Sequence, residues 1–534
     1  MFADLVLKNG KIVTIDEKES IAEAVAVKFG RILAVGTNDE IKGYVGETTK
    51  VVDLKGRTVT PGLIDSHCHQ TATGASKYLT VELSEESGIH SIADIQKRLA
   101  EKAKATPKGE WIYGSDEDDS KLAEKRHPTR WELDEATPDH PTTVTTRGGH
   151  FCIANSKAFE VANVSKDTPD PAGGTFERDP ATGELTGGVH EKATQIITPV
   201  RPTPNREQAY EGAKQQLLAC AAAGLTCVND SIGESQIRAI NDLKNNGELP
   251  IRMRIDVHKE HWPDLKKAGI YQGFGDDWAR ITAIKFFWDG AISARTAAVT
   301  EPYLHRPDFY GVLGTTPELA MQELEAAYKE GYRIVTHANG DAAVALFCDV
   351  MEVLQKKYPR EDPRNRDIHC TVVNPELIAR LKKLDILPTI FGPYAYYHGD
   401  KLLPAFGEER LEWMFAARSF LDAGMKVSAH SDYGAGPMPP LMAIHALVNR
   451  VTKAGRPIGQ SQRISVMEAL KLYTINAAYH AFDEDKLGSI EVGKLADFTV
   501  YGKDILTVPT DTIIDIPIDM TIIDGKTVYE REDA

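Results

Sequence analysis

The middle of the chain alternates short β-branched or apolar runs with helical patterns, and this alternation constrains the fold more than any other feature. Helical periodicity lies between the runs, for example at 316–331 and 375–384. The runs are 60–70, 224–231, 251–258, 281–290, 332–340, 366–373, 386–392 and 426–434. Strands that alternate with helices predict a parallel sheet, and eight such units predict a closed (β/α)8 barrel of the TIM type.

The two ends of the chain have a different pattern, in which short apolar runs alternate with turns. The Asn9-Gly10 pair predicts a hairpin near the N-terminus, and Asp524-Gly525 marks a similar turn near the C-terminus. We therefore expect one small β-sandwich, built from residues 1–57 and 486–534, beside a barrel at 58–485. The distance from the first barrel strand to the second is too long for one crossover, which predicts an insertion of helices and loops at about 75–220.

Composition excludes several classes of protein. The net charge of −16 over 534 residues disfavours nucleic acid, which is bound by basic patches. No apolar run approaches the length of a membrane span, and the N-terminus has no pattern of a signal peptide, so we expect no membrane partner. The six cysteines are scattered without zinc-finger spacing, which predicts a reducing, cytoplasmic setting rather than a disulfide framework.

Ionisable side chains fall at the ends of several predicted strands, where a barrel of this type carries its active site. His67 and His69 are two residues apart on the first strand and therefore share a face. The others are Lys285, His337, His369 and Asp432. Each alone has an ordinary structural explanation, such as a hydrogen-bonded histidine, an edge lysine or a helix cap. Together they predict a metal site for zinc or a similar divalent ion.

This ordered set resembles the binuclear pattern of the amidohydrolase superfamily. The segments "TINAAYHAF" (474–482) and "LGSIEVGKLADFTVY" (487–501) are similar to the closing signature of that superfamily, whose fold is a barrel with a sandwich from both termini. The resemblance implies two divalent ions, with zinc as the expected metal: one on His67, His69 and Asp432, the other on His337 and His369. It also implies that Lys285 is carboxylated and bridges the two ions.

A narrower resemblance is to the amidohydrolase-3 branch, which includes N-substituted formamide deformylases. It rests on "GEWIYGSDEDDS" (109–120), "IKFFWDGAISARTAAVTEPY" (284–303) and "THANGDAAV" (336–344). The chain departs from this branch at "IHCT" (368–371), where Glu-His-Ala-Gln is common, and at "AHSD" (429–432), which places His430 beside the aspartate.

The narrower resemblance also places further residues near the metals. His150 is expected to steady a developing oxyanion, unless it is a loop histidine bonded to the backbone. Trp288, Asp289 and Arg295 lie in these motifs, and Tyr396 lies just beyond the seventh predicted strand. All four are expected to bind substrate. Trp288 could instead pack in the core, Asp289 could form an ion pair with Arg295, and aromatic residues at a rim also serve subunit contacts.

The preferred hypothesis is a metal-dependent hydrolase that cleaves a non-peptide C–N amide bond of the N-acyl or N-formyl amine type. A water between two divalent ions would become a hydroxide nucleophile near neutral pH, and Asp432 would carry its proton to the leaving amine. The alternatives are a deaminase of a heterocycle, a lactone or phosphoester hydrolase with the same ligands, and a scaffold that has lost its metals. The deaminases usually have a glutamate after the fifth-strand histidine, which "THANGDAAV" lacks. We expect a small-molecule amide as substrate and, by analogy with the family, a possible homodimer.

Overall fold

A computed structural model describes residues 1–146, 149–197 and 203–532 of the chain, with strands β1–β24 and helices α1–α18 numbered along it. Eight strands form one parallel sheet in the order of the sequence. They are β8 Leu63–Cys68, β15 Leu225–Ile232, β16 Arg252–His258, β17 Ala279–Phe287, β18 Ile334–Ala338, β19 Arg366–His369, β20 Leu387–Phe391 and β21 Ser428–His430. The predicted barrel is therefore confirmed.

The first and last strands of this sheet meet, which closes the barrel. The backbone N–H of Asp432 donates to the carbonyl of His67 at 3.1 Å, and that of His69 donates to Tyr433 at 3.0 Å. The side chain of Asp65 accepts from the Ser431 N–H at 3.1 Å. Both faces of a barrel sheet are covered, and this explains why the strands are apolar runs without polar alternation.

Helices surround the barrel strands. They are α2 Gln70–Ser76, α7 Arg206–Ala222, α8 Glu234–Asn245, α9 Trp262–Ala268, α10 Pro317–Tyr328, α11 Asp341–Lys357, α12 Pro375–Lys383, α13 Tyr394–Tyr397, α14 Gly399–Leu411, α15 Ala417–Asp422, α16 Pro440–Asn449, α17 Val466–Leu472 and α18 Ile475–His480. The predicted helices α10 and α12 begin as the sequence indicates: Thr316 and Asn374 cap them, and each has a proline in its first turn.

Strands from both ends of the chain form the second domain. Its four-stranded sheet has the order β5-β4-β1-β6, and its six-stranded sheet has the order β24-β23-β22-β7-β2-β3. The strands are β1 Leu5–Lys8, β2 Lys11–Val13, β3 Ile21–Ala22, β4 Ala24–Lys28, β5 Arg31–Gly36, β6 Lys50–Asp53, β7 Thr58–Pro61, β22 Phe498–Tyr501, β23 Ile518–Ile523 and β24 Lys526–Glu530, with helix α1 at Asn38–Lys42. Strand β7 pairs with β2 on one side and with β22 on the other, so the two termini share one sheet as predicted.

The two predicted turns of this domain behave differently. Asp524-Gly525 closes a hairpin, in which Ile523 of β23 is paired with Lys526 of β24. The hairpin predicted at Asn9-Gly10 is wrong, because β1 and β2 belong to different sheets. Both edges of β1 are already occupied by β4 and β6, so the chain crosses to the other sheet at this turn.

The insertion contains a mixed sheet as well as helices and loops, and the prediction was incomplete in this respect. Its six strands have the order β13-β14-β12-β11-β10-β9. The elements are β9 Thr80–Glu82, β10 Ile112–Glu117, β11 Thr142–Thr146, β12 Phe151–Ala154, β13 Gly174–Arg178 and β14 Leu185–Glu191, with α3 Ile92–Ala105, α4 Arg130–Ala136, α5 Ser156–Val161 and α6 Thr194–Ile197. Helix α7 returns to the barrel wall, where Gln216 donates to Gln70 of α2 at 2.9 Å.

None of the helices in the described part of the chain combines the length and the apolar composition that a membrane crossing requires. All six cysteines lie within the described residues, where they are buried and form no disulfide.

Candidate metal centre

Three predicted ligands meet where the first and last barrel strands end. His67 lies in β8, His69 follows it, and Asp432 comes two residues after β21. The Oδ1 atom of Asp432 is 3.2 Å from His67 Nε2 and 3.5 Å from His69 Nε2. One ligand atom from each of the three residues lies within 4.8 Å of the others, which is the arrangement that a single cation needs.

A second group lies beside the first, at the ends of β18 and β19. His337 Nδ1 and His369 Nε2 are 3.0 Å apart. His369 has φ +80° and Cys370 has φ +43°, which are left-handed conformations that non-glycine residues adopt at a cost. Asp432 likewise has φ +48°. Two of the predicted ligands are therefore held in unfavourable backbone conformations, as is common at functional sites.

Lys285 lies on β17, and its charge acts on histidines of both groups. Its side chain is fully buried, and Nζ has no hydrogen-bond partner within the described residues. Burial lowers the pKa of Lys285 to about 7, although the Asp432 carboxylate opposes this effect. A buried amine without a partner is energetically costly, so this lysine is retained for a purpose other than stability.

The donor set fits divalent cations. A tetrahedral ion with bonds of about 2.0–2.2 Å places neighbouring ligand atoms about 3.3–3.5 Å apart, and the separations above, 3.0 to 3.5 Å, are close to this spacing. Burial, and then the charge of Lys285, hold the pKa of His67 and His337 well below the usual range of histidine. Neutral imidazoles are the form that binds metals.

His150 reaches the same region from the insertion. Its ring centroid is 5.6 Å from that of His337. Its Nδ1 is 2.8 Å from Glu191 Oε2, and Thr296 Oγ1 donates to the other oxygen of Glu191 at 2.6 Å. Burial by itself lowers the pKa of His150, but the Glu191 carboxylate outweighs it and raises the pKa above the usual value. The insertion thus supplies a histidine that a carboxylate orients.

Glu191 was not predicted to have a role. The only signal in the sequence is a charged residue at the end of a β run, in "GGVHEK" (187–192). Asp65 was also missed, although it lies two residues before His67 on the same strand. Its carboxylate accepts from the Ser431 hydroxyl at 2.5 Å and ties β8 to the segment that carries Asp432.

Two of the four predicted substrate residues line the main cavity. This cavity has a volume of about 480 Å³, and its wall includes Trp288, Asp289 and Phe287 beside the histidines. Trp288 is 1% exposed and packs edge-on against Phe347, so it also belongs to the core. The volume is in the range of sites for small organic molecules.

Asp289 shapes the loops at the mouth of the barrel. Its carboxylate accepts from the backbone N–H groups of Ala298, Asn339 and Gly340 at 2.8 to 2.9 Å. The ion pair expected with Arg295 is absent from the described residues, because the Asp289 carboxylate is already occupied by backbone donors. Arg295 lies 3.6 Å from Asp119 instead and lines a smaller, separate cavity.

The structure does not bring Tyr396 to the main cavity. Its ring lies edge-on against His445 of α16, with the centroids 4.9 Å apart. The other aromatic residues of α13, Tyr394 and Tyr397, are buried, and the helix therefore turns Tyr396 away from the barrel mouth.

His430 lies among the predicted ligands rather than behind the strand. Its ring centroid is 5.3 Å from that of His67, 5.0 Å from that of His369 and 4.9 Å from that of Phe391. The side chain is fully buried, and neither ring nitrogen has a hydrogen-bond partner within the described residues. His430 is therefore part of the barrel interior directly beside the candidate metal centre.

Comparisons with known proteins agree with this geometry. The amidohydrolase family model Amidohydro_3 matches residues 50–529. The putative amidohydrolase YtcJ of Bacillus subtilis is 30% identical over 98% of this chain and 99% of its own. The N-substituted formamide deformylase of Arthrobacter pascens is 28% identical over 99% of this chain and 98% of its own. An uncharacterized metal-dependent hydrolase from Pyrococcus horikoshii has a solved structure that superposes with a TM-score of 0.77, at 26% identity over 95% of this chain and 99% of that one.

Proposed function

Because the chain belongs to the amidohydrolase family, we propose that it is a metal-dependent hydrolase of a non-peptide C–N amide bond, of the N-acyl or N-formyl amine type. The observation that carries this proposal is the convergence of six predicted ligands at one end of the barrel. The N-substituted formamide deformylase, which aligns over almost the whole chain, supports the choice of bond.

The residues divide into two ligand groups. His67, His69 and Asp432 would hold one divalent ion, and His337 and His369 would hold the other, with zinc as the expected metal. Lys285 would bridge them as a carbamate, because the Nζ of this buried amine has no hydrogen-bond partner within the described residues. When bound, the ions would make a water molecule acidic and polarise the carbonyl group of the substrate.

The side chains of the chain itself perform the proton transfers. Asp432 accepts the proton of the attacking water and later gives it to the nitrogen of the leaving amine. His150 donates a hydrogen bond from Nε2 to the substrate oxygen as negative charge develops there. Glu191, bonded to Nδ1 at 2.8 Å, fixes the orientation of the His150 ring and favours its protonated form.

Features of the fifth strand and its loop favour amide hydrolysis over deamination. The residue two positions after His337 is Asn339, whose side-chain N–H lies 3.1 Å from His337 Nε2 and whose oxygen accepts from Thr371 at 2.8 Å. The segment "THANGDAAV" has no glutamate after this histidine, where deaminases of this type usually have one. Lys285, which those enzymes lack, is present in the barrel interior.

A substrate panel tests the proposal. The zinc-loaded enzyme is assayed against N-formyl and N-acyl amines, lactones, phosphoesters and amino-substituted heterocycles, with product release as the readout. We expect kcat/KM for the best amide to exceed that for every other class by about 100-fold, a difference of about 2.7 kcal/mol in transition-state binding. A higher kcat/KM for a lactone, phosphoester or heterocycle would contradict the assignment of the bond.

Substitution of Asp432 separates binding from proton transfer. We expect Asp432→Asn to retain part of the metal and to lose turnover by roughly 10²- to 10⁴-fold, because the amide side chain can be a ligand but cannot carry the proton. Metal content by elemental analysis and kcat on the best amide are the measurements. A fully active variant would remove the proton-transfer role from this residue.

A further inference from the structure

A second large cavity lies at the opposite end of the barrel from the candidate metal centre. Its volume is about 340 Å³, and three arginines, Arg280, Arg333 and Arg360, are in its wall. They lie at or just before the starts of neighbouring strands. Arg280 is the second residue of β17, Arg333 immediately precedes β18, and Arg360 lies a few residues before β19. Three positive side chains thus converge where the strands begin.

Two of these arginines have no carboxylate partner. Arg333 is 5% exposed, and its one side-chain hydrogen bond within the described residues runs from Nη1 to the carbonyl of His480 at 3.2 Å. Arg360 Nη1 donates to the carbonyl of Tyr332 at 2.8 Å, whereas its Nη2 is shielded from solvent and has no acceptor. By contrast, Arg280 forms an ion pair with Asp483 at 2.5 Å.

Aromatic rings hold both guanidinium groups in place. The guanidinium carbon of Arg333 is 3.8 Å from the centroid of Phe482, and that of Arg360 is 3.8 Å from the centroid of Tyr328. Stacked guanidinium groups are rigid and keep their edge N–H donors free for an oxyanion. The donors are therefore preorganised, and a ligand would not have to order them.

Among the residues that line this cavity, the arginines outnumber the carboxylates. Burial, and then the charges of Arg366 and other arginines, lower the pKa of Arg333, although an arginine keeps its proton in a protein. Two carboxylates also line the cavity, Asp362 and Glu361. Asp362 is paired with Arg364 at 2.8 Å, and Glu361 is exposed and forms no ion pair within the described part of the chain.

We propose that this cavity binds a small organic phosphate. The phosphate oxygens accept hydrogen bonds from the guanidinium groups of Arg333 and Arg360, and the organic part lies against the half-exposed ring of Phe482. The cavity is larger than inorganic phosphate requires, which leaves room for such an organic part. The carbonyls of Ala481 and His480, at the end of helix α18, accept from one nitrogen each of Arg280 and Arg333, so they do not replace an anion.

Titration calorimetry with the full-length, metal-loaded protein tests the proposal, with inorganic phosphate and glycerol 3-phosphate as probes and acetate for comparison. Arg360→Gln removes the positive charge and the guanidinium group of this side chain, and we expect it to raise the Kd of both phosphates at least about tenfold. Glu361→Gln removes the one unpaired carboxylate, and we expect it to lower the Kd about twofold. Acetate is expected to bind at least about tenfold more weakly than glycerol 3-phosphate.

The matched control is Arg418→Gln, because Arg418 has carboxylate partners of its own in Asp422 and Glu468. Its Kd is expected to equal that of the wild type. Phosphate that binds at the metals, at the other end of the barrel, would be equally insensitive to Arg360 and Glu361. The proposal is overturned if the wild type shows no saturable phosphate binding, or if the two variants do not shift the Kd in opposite directions.

Discussion

Buried charged side chains at the carboxyl end of the barrel differ from those in the barrel interior below it. At the carboxyl end, Lys285, His67 and His369 are buried with polar nitrogens that have no partner within the described residues. Below them, Arg366 Nη2 is 2.5 and 2.6 Å from the two oxygens of Asp256, and both residues are fully buried. Buried charges that are paired with an opposite charge stabilise one arrangement, whereas buried polar groups without partners are retained for a ligand.

The same contrast extends to the contact between the barrel and the β domain. Arg252 of β16 forms two hydrogen bonds with Asp497, at 2.7 and 2.9 Å, and both side chains are buried. Asp497 immediately precedes β22, so this pair connects the barrel to the C-terminal part of the sheet. We therefore expect substitutions at the carboxyl end to change activity and leave stability almost unchanged. Substitutions of the paired arginines should lower stability and leave activity almost unchanged.

The largest effect on activity is expected for Lys285→Ala. Loss of the proposed bridge should remove most of the bound metal and lower kcat/KM at least about 10³-fold, while the free energy of unfolding of the metal-free chain does not fall, because an unpaired buried amine has been removed. Metal analysis, kinetics and denaturant unfolding are the measurements. Lys259→Ala, at a surface lysine paired with Glu323, is the matched control. Unchanged metal content in Lys285→Ala would contradict the bridging role.

A smaller loss is expected for Glu191→Gln, which keeps the shape of the side chain but removes the charge beside His150. We expect kcat to fall about 10- to 100-fold with little change in KM, since the ring is oriented less well during the reaction. The limb of the kcat–pH profile on which His150 loses its proton should also shift to lower pH, because the carboxylate that raises the pKa of His150 is gone. If kcat and its pH profile match those of the wild type, Glu191 does not position His150.

Arg252→Gln should have the opposite signature. It leaves the Asp497 carboxylate buried without its partner, and we expect the free energy of unfolding to fall by about 3–5 kcal/mol. At temperatures where the variant is folded, kcat/KM should stay within about threefold of the wild-type value, because the pair is remote from the cavity. The double variant with Asp497→Asn should recover part of the stability. A folded Arg252→Gln variant with strongly reduced kcat/KM would contradict the expectation that the paired arginines contribute to stability and not to activity.

The smallest effect is expected for Tyr396→Phe. The Tyr396 ring packs against His445 and does not line the main cavity, so kcat and KM for the best amide should change less than about twofold. Trp288→Phe provides the comparison, since Trp288 lines that cavity and should change KM more. A large rise of KM in Tyr396→Phe would show that this residue contacts the substrate after all.

Much of the barrel could be predicted from the sequence, because each strand is a local apolar run and helices such as α10 and α12 have their own caps. The ligands could be predicted for the same reason: His67, His337, His369 and Asp432 lie at or next to the ends of such runs, and parallel strands bring their ends together. The roles of these residues stay predictions.

Features that depend on distant partners could not be read from the sequence. The hairpin at Asn9-Gly10 was wrong because strands far along the chain occupy both edges of β1. The insertion sheet was missed because its strands are short and β10 and β11 pair across an intervening helix. Arg295 and Tyr396 lie near the barrel mouth in sequence order, but the direction of each side chain is set by Asp119 and His445, which belong to other segments.

The proposed function requires that six side chains at the carboxyl end of the barrel hold a pair of cations. The most direct measurement is anomalous diffraction from crystals of the zinc-loaded protein, collected at the zinc absorption edge. Two peaks are expected in the barrel mouth. One should lie about 2.0–2.2 Å from ligand atoms of His67, His69 and Asp432, and the other at the same distance from His337 and His369. Additional density is expected on Lys285 Nζ. An empty barrel mouth, or zinc bound only elsewhere, would contradict the proposed function.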